Sequence, residues 1–222
     1  MSAPPGAAQR FFDAIARRYD RVYAPDRDTS RRGLARVLEA LPPAARVLDL
    51  GVGTGRELSA LLDAGHRPIG VDVSPSMLEI CGRRARPVPL LEADFWEALP
   101  FDPASFDAVL ALHGTLAHPP DEGAYARLQA ELWRLLVPGG VLIAEVPSPG
   151  WLSALPAEGA SSGDFRLRRL SPNRCLHEDL VAHVALEATL LSAQEWRAAL
   201  ASWPRVEIDE TASELFVVAT RG

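Results

Sequence analysis

The chain has 222 residues, 48% hydrophobic and 23% charged, a composition that excludes collagen-like and disordered readings and is long enough to bury one full core. Its net charge of −6 supplies no basic field for a phosphate backbone, so a small molecule is expected as the partner and nucleic acid is not. All 23 basic residues are arginine, which removes lysine Schiff-base chemistry and the lysine of a P-loop.

Residues 9–23 carry Phe11, Phe12, Ile15, Tyr19 and Val22 at helical spacing, predicting an amphipathic N-terminal helix. A second helix is predicted from Thr29 to Leu41, stopped by Pro42 and Pro43, so residues 1–43 read as a helical cap. Strands are then predicted at Arg46 to Leu50, Pro68 to Val73, Val88 to Glu92, Phe106 to Leu112 and Val141 to Val146. Helices are predicted between them at Glu57 to Ala64, Pro75 to Arg84 and Glu122 to Leu136. Such alternation favours a mostly parallel sheet covered on both faces. After Pro147 the composition turns to Pro, Gly, Ser and Ala. Residues 147–163 read as a loop or lid and 164–190 as extended segments, and 147–190 together as an insertion that binds substrate. Ser192 and Glu195 form a capping box for a last helix ended by Pro204, and Val206 to Asp209 with Leu215 to Thr220 are expected as an antiparallel pair at the sheet edge.

Cys81 and Cys175 lack the number and spacing of a disulfide framework or a zinc site. The opening residues show no basic segment followed by an apolar stretch, and no apolar run of about 18 residues occurs. A cytoplasmic protein without a membrane span, monomeric or homodimeric, is the expectation.

The most informative segment is Val47 to Glu57, VLDLGVGTGRE, an apolar strand running into a glycine turn and then a helix. Glycines at 51, 53 and 55 allow positive φ and close approach of a ligand to bare backbone. A dinucleotide fingerprint would place its third glycine where Arg56 stands, so the spacing is G-x-G-x-G instead. Asp49 precedes the turn on the first strand, Asp72 ends the second strand about twenty residues on, where a ribose can be held, and Asp94 with Phe95 follows the third. Plainer alternatives exist: the glycines as a strand-to-helix turn, Asp72 as a cap for the next helix, a task that suits Ser74 better, and Asp94 as a turn carboxylate.

The turn and these three acids resemble the class I S-adenosylmethionine-dependent methyltransferases, small-molecule branch, over roughly residues 11–146, with VLDLGVGTG, GVDVS, EADF and FDAVLALHGTLAH as the matching motifs. The resemblance implies a Rossmann-like α/β fold with a seven-stranded, mostly parallel sheet, helices on both faces and an antiparallel last strand, in one domain over residues 1–222. It implies S-adenosyl-L-methionine as cofactor, with Gly51, Val52, Gly53 and Gly55 in the loop facing its methionine part and Asp49 on its amino group. Asp72 and Val73 would lie at the ribose, Met77, Asp94 and Phe95 at the adenine. Leu112 and His113 would face the sulfonium, and Tyr19 or Tyr23 would cover it. The acceptor is not implied, because the match fades after Pro147.

Methyl transfer is an in-line displacement that depends chiefly on alignment at about 3–3.5 Å. A hydroxyl acceptor must also lose a proton, and His113 and His118 are the candidate bases; structural hydrogen bonding is the alternative for both. Tyr19 and Tyr23 could equally pack the N-terminal helix. No metal is expected, since His113, Gly114 and Thr115 stand where hard cations would need carboxylates. His177 and His183 show no metal spacing. Trp151 and Arg168 are expected at the acceptor. The rival readings are a nicotinamide-dependent oxidoreductase and a non-catalytic S-adenosylmethionine-binding protein.

Overall fold

Alternating burial along the apolar runs sorts the core into two layers, one on each side of a central sheet. The structure, a computed structural model, describes residues 6–23, 27–84, 87–156 and 159–222. It opens with α1 (Ala7–Ile15), a 3-10 turn (Ala16–Arg18), α2 (Tyr19–Tyr23) and α3 (Arg27–Ala40). Then follow β1 (Arg46–Leu50), α4 (Leu58–Asp63), β2 (Arg67–Asp72), α5 (Pro75–Arg84), β3 (Leu90–Glu92), β4 (Phe106–Ala111), a 3-10 turn (Thr115–Ala117), α6 (Ala124–Leu135) and β5 (Leu136–Pro147). After α7 (Pro149–Ala154) come β6 (Ala160–Ser162), β7 (Phe165–Ser171), β8 (Arg174–Asp179) and β9 (Val184–Thr189), and α8 (Ala193–Ala199), β10 (Arg205–Glu210) and β11 (Glu214–Thr220) finish the chain.

The main sheet has the order β10-β11-β5-β4-β1-β2-β3. Strands β1 to β5 pair in parallel, and β11 runs antiparallel to both β5 and β10. This is the expected seven-stranded α/β sheet. Leu48, Leu50, Val109, Leu142 and Val217 pack on one face with Leu128 and Leu132 of α6, Trp196 of α8 and Leu200 just beyond it. Val47, Ala108, Leu110, Ile143 and Phe216, one residue out of step, pack on the other face with Val37, Leu58, Leu61 and Cys81 of α3, α4 and α5. The period of two along each strand places successive side chains on opposite faces, which is why near-continuous apolar runs are needed here.

The N-terminal segment is broken, where one helix over 9–23 was expected. The 3-10 turn brings Arg18 onto Asp164 and Asp179, and α1 packs Phe11 and Ile15 against Met77 of α5 and Leu186 of β9. Asp13 fixes α1 to the start of α5, accepting from Ser74 Oγ at 2.6 Å and the Ser76 N–H at 3.1 Å. Asp20 ties α2 to the glycine turn through Thr54 Oγ1 at 2.8 Å and to Arg84.

The stretch 147–163, expected as a loop or lid, contains α7. Ser148 caps it by accepting the Trp151 N–H at 3.1 Å, and Pro149 takes the first helical position, where its missing N–H costs nothing. Ala157 and Glu158 of that stretch lie outside the described residues. The extended segments beyond it form a separate antiparallel sheet, β6-β7-β8-β9. Ser192 and Glu195 make the expected capping box, and α8 closes at Ala199, five residues before Pro204.

Candidate active site

A cavity of about 1150 Å³ opens at the carboxyl ends of the parallel strands, walled by α1 and α2 on one side and by β8 and β9 on another. Tyr19, Asp49, Gly51, Val52, Gly53, Asp72, Val73, Met77, Asp94, Phe95, Leu112, His113 and His118 all line it, as does Tyr23. Chain reversal after β1 depends on left-handed backbone at Gly51, with φ of 64°, where a Cβ would stand 2.6 Å from the Thr115 side chain. Asp72 braces the turn: Oδ2 accepts the Gly53 N–H at 2.8 Å, and Oδ1 accepts the Ser74 N–H at 2.9 Å. The helix cap is Ser74, whose Oγ accepts the Met77 N–H at 3.1 Å.

Gly55 is placed differently from its expected position in the ligand loop. It is absent from the cavity wall and faces α5, where a Cβ would meet Cys81 Sγ at 2.5 Å, so it permits close packing of turn on helix. Asp94 spends one oxygen on its own turn, accepting the Trp96 N–H at 3.0 Å.

The electrostatics suit a cation. Burial, with Glu57 and Asp72 close by, pushes the Asp49 carboxyl well above the ordinary carboxylate range. Burial also raises Asp72 to about 6, against the pull of its two backbone N–H donors. Carboxylates crowded in this way are relieved by a positive ligand. Arg56 lines the same wall with Nη1 buried and without a protein partner, its guanidinium 5.3 Å from the Tyr19 ring. A bound sulfonium and ammonium near the acids and a carboxylate near Arg56 would satisfy all these groups, so the residues present fit S-adenosylmethionine.

His113 is held in a carboxylate clamp. Nε2 lies 2.7 Å from Glu57 Oε1, and Nδ1 lies 3.2 Å from Glu145 Oε2, on backbone with φ of 54°. Burial works to strip its proton, but the bond to Glu57 and the charges of Glu57 and Glu145 outweigh it, raising the pKa above the usual 6.5. Glu214 extends the cluster, lifted to about 7 by burial and by Glu145. Both ring nitrogens of His113 thus face carboxylates, whereas a general base needs one nitrogen turned toward the acceptor.

His118 is the opposite case. Its Nδ1 lies 2.8 Å from the Glu187 carbonyl oxygen, which can only accept, so the proton sits on Nδ1 and Nε2 keeps its lone pair. Burial lowers its pKa, partly countered by that bond. Nearby, His177 lines the cavity among Phe11, Tyr23 and Phe165, with ring centroids at 5.3, 5.1 and 5.5 Å. Its Nε2 is buried without a partner, and burial lowers its pKa to about 4.

Trp151 and Arg168 do not reach the cavity. Trp151 packs on the cluster of Leu152, Cys175 and Leu190, and Arg168 pairs with Glu178 at 2.8 Å on an exposed face. Arg56, Glu57, Glu145 and His177 carry no expected role from the sequence. Arg56 and Glu57 follow the turn directly and were within reach of motif reasoning; Glu145 and His177 lie on strands with no local signal. Among the described residues no group of three or more His, Cys, Asp or Glu side chains could hold a metal ion, and no helix is long and apolar enough to cross a membrane.

A family model described as a methyltransferase domain matches residues 47–140, the stretch from the glycine turn to the start of β5. A demethylmenaquinone methyltransferase of Thermus thermophilus is 37% identical over 151 residues, covering 62% of this chain and 65% of that protein. Another, from Mycolicibacterium gilvum, is 34% identical over 160 residues, covering 69% and 67%. The chain thus spans less than two thirds of the Thermus relative. The CcbJ methyltransferase of Streptomyces caelestis shares the fold, with a TM-score of 0.72 at 21% identity over 97% of this chain and 99% of that one. The chain belongs to the class I S-adenosylmethionine-dependent methyltransferases. S-adenosylmethionine is the cofactor of that family.

Proposed function

We propose that this protein transfers a methyl group from S-adenosylmethionine to an oxygen or nitrogen atom of a small-molecule acceptor, without a metal. Asp49 and Arg56 would take the amino and carboxylate groups of the cofactor, Asp72 its ribose hydroxyls, and Asp94 with Phe95 and Met77 its adenine. Bound there, the cofactor supplies an electrophilic methyl group: the acceptor's electron pair forms the new bond as the carbon–sulfur bond breaks and its pair stays on sulfur.

His118 takes the acceptor's proton. The observation that carries this assignment is its orientation, with Nδ1 committed to the Glu187 carbonyl and Nε2 left as the acceptor. General-base help of this kind is worth about 10²–10⁴-fold. The Glu57–His113–Glu145 cluster, with two carboxylates on one histidine ring, would keep the wall negative beside the sulfonium and would give His113 a structural part. Tyr19, half-buried beside Arg56, would close the site from the N-terminal side.

A second reading, methylation at carbon, is favoured by the demethylmenaquinone methyltransferases among the relatives. A ring carbon made nucleophilic by loss of a hydroxyl proton would use the same base.

Calorimetric titration of ligand-free protein with S-adenosylhomocysteine and NADH separates the rivals. Micromolar binding of the first alone, weakened in Asp72→Ala, supports the cofactor assignment; binding of NADH alone overturns it. Formation of S-adenosylhomocysteine from S-adenosylmethionine with phenols, amines or reduced quinones then tests turnover, and tight cofactor binding without turnover on any of them would favour a non-catalytic binding protein.

A further inference from the structure

We propose that His177 is an acceptor-binding residue, and that with His118 it selects an acceptor presenting a neutral hydroxyl on a flat apolar body, a compound of the phenol class. The inference rests on the methyl-transfer reading and names the acceptor of that same site.

The two histidines come together through the second sheet. His118 is anchored to the carbonyl of Glu187 in β9, and His177 in β8 pairs in register with Leu186, the residue before it. Both imidazoles therefore lie beside neighbouring rungs of the β8–β9 ladder and line the same cavity, and His118 bears electrostatically on His177. Both are neutral, because burial opposes their protonation. Their surroundings are aromatic: Phe12 lies 5.9 Å from the His118 ring and Phe11 5.3 Å from His177.

His177 Nε2 is buried without a partner, and a buried polar atom left unpaired is costly, so the native state with acceptor bound is where its bond is expected. A phenolic hydroxyl meets the needs of both rings at once: its single proton passes to Nε2 of His118, and its oxygen accepts a hydrogen bond from Nε2–H of the neutral His177 ring. The acidic side chains that flank the two rings on β8 and β9 are already engaged with cations. Asp179, the carboxylate whose charge reaches His177, already accepts from Tyr23 Oη at 2.8 Å and pairs with Arg18, and the Glu187 side chain pairs with Arg174.

The test uses the full chain saturated with S-adenosylhomocysteine, titrated calorimetrically at pH 7.5 with a naphthol and with the matched cation naphthylmethylamine. The naphthol is expected to bind at least tenfold more tightly than the amine. His177→Phe, which keeps a ring and removes both nitrogens, should weaken naphthol binding tenfold or more, His177→Gln should recover part of the loss, and S-adenosylhomocysteine affinity should stay unchanged in both. In the wild type, the His177 ring-proton resonance should shift on addition of the naphthol, a readout that needs no variant. Tighter binding of the amine, absence of naphthol binding, equal binding in His177→Phe, or an unmoved His177 resonance would each overturn the proposal. Failure of S-adenosylhomocysteine to bind the wild type would instead overturn the methyl-transfer reading.

Discussion

The affinity for S-adenosylhomocysteine should depend on pH through Asp72. Its pKa of about 6 reflects burial opposed by two backbone N–H donors, and ribose hydroxyls would add further bonds to the ionised form. Binding thus pulls the carboxyl toward ionisation, so affinity is full above pH 6 and falls as the pH drops through it. With a pKa of about 6 the free protein is about nine-tenths ionised at pH 7 and about one-tenth at pH 5. If only the carboxylate holds the ribose, affinity falls about tenfold over that interval, ~1.4 kcal/mol. Asp72→Asn removes the charge and puts a donor against the Gly53 or Ser74 N–H. It should bind at least tenfold more weakly at pH 7.5, since hydrogen bonds to charged groups are worth about 1.5–3 kcal/mol, and should lose the pH slope. The assay is calorimetry at pH 5, 6, 7 and 8 (pH values on the order of unit steps) in two buffers of different ionisation enthalpy, which reads proton release directly. A flat wild-type profile would refute the reasoning, and an unchanged slope in Asp72→Asn would move the coupling to Asp49.

Four further outcomes follow from the geometry. Turnover should rise with pH along a limb below the ordinary histidine value of 6.5, because burial lowers the pKa of His118; a limb above 6.5 that disappears in His113→Gln would make His113 the base. His118→Gln should lower kcat by about 10²–10⁴-fold while S-adenosylhomocysteine affinity is kept. Glu57→Gln should lower the His113 pKa, followed by the pH titration of its ring protons, and an unmoved titration would mean that the 2.7 Å contact carries no charge coupling. Gly51→Ala forces a Cβ to 2.6 Å from the Thr115 side chain on left-handed backbone that costs about 1–2 kcal/mol by itself, so melting temperature and cofactor affinity should both fall. Thr115→Ala in the same chain should restore the part due to overlap and leave the backbone part, and full additivity of the two changes would show that they do not touch.

The amino-acid sequence by itself determined the order of elements from β1 to β5 and the two-faced sheet, and it set the glycine turn and the three acids along one edge. VLDLGVGTG, GVDVS and EADF each carry their chemistry on a few contiguous residues at a strand end, and parallel strands deliver those ends to one edge whatever the details of packing. The capping box at Ser192 and the helix Pro75–Arg84 were legible for the same local reason. Gly55 was misplaced because a glycine that admits a ligand and one that admits a neighbouring helix look identical along the chain; Cys81 against its α-carbon decides between them. The proton chemistry was decided by tertiary structure alone. His113 and His118 stand five positions apart in similar local sequence, yet one is clamped by Glu57 and Glu145, 56 and 32 residues away, and the other is oriented by a carbonyl 69 residues away. A histidine's protonation follows from burial and from which groups face its two nitrogens, and those neighbours are assembled by β5 and by the second sheet, whose half-buried alternating strands carry no motif.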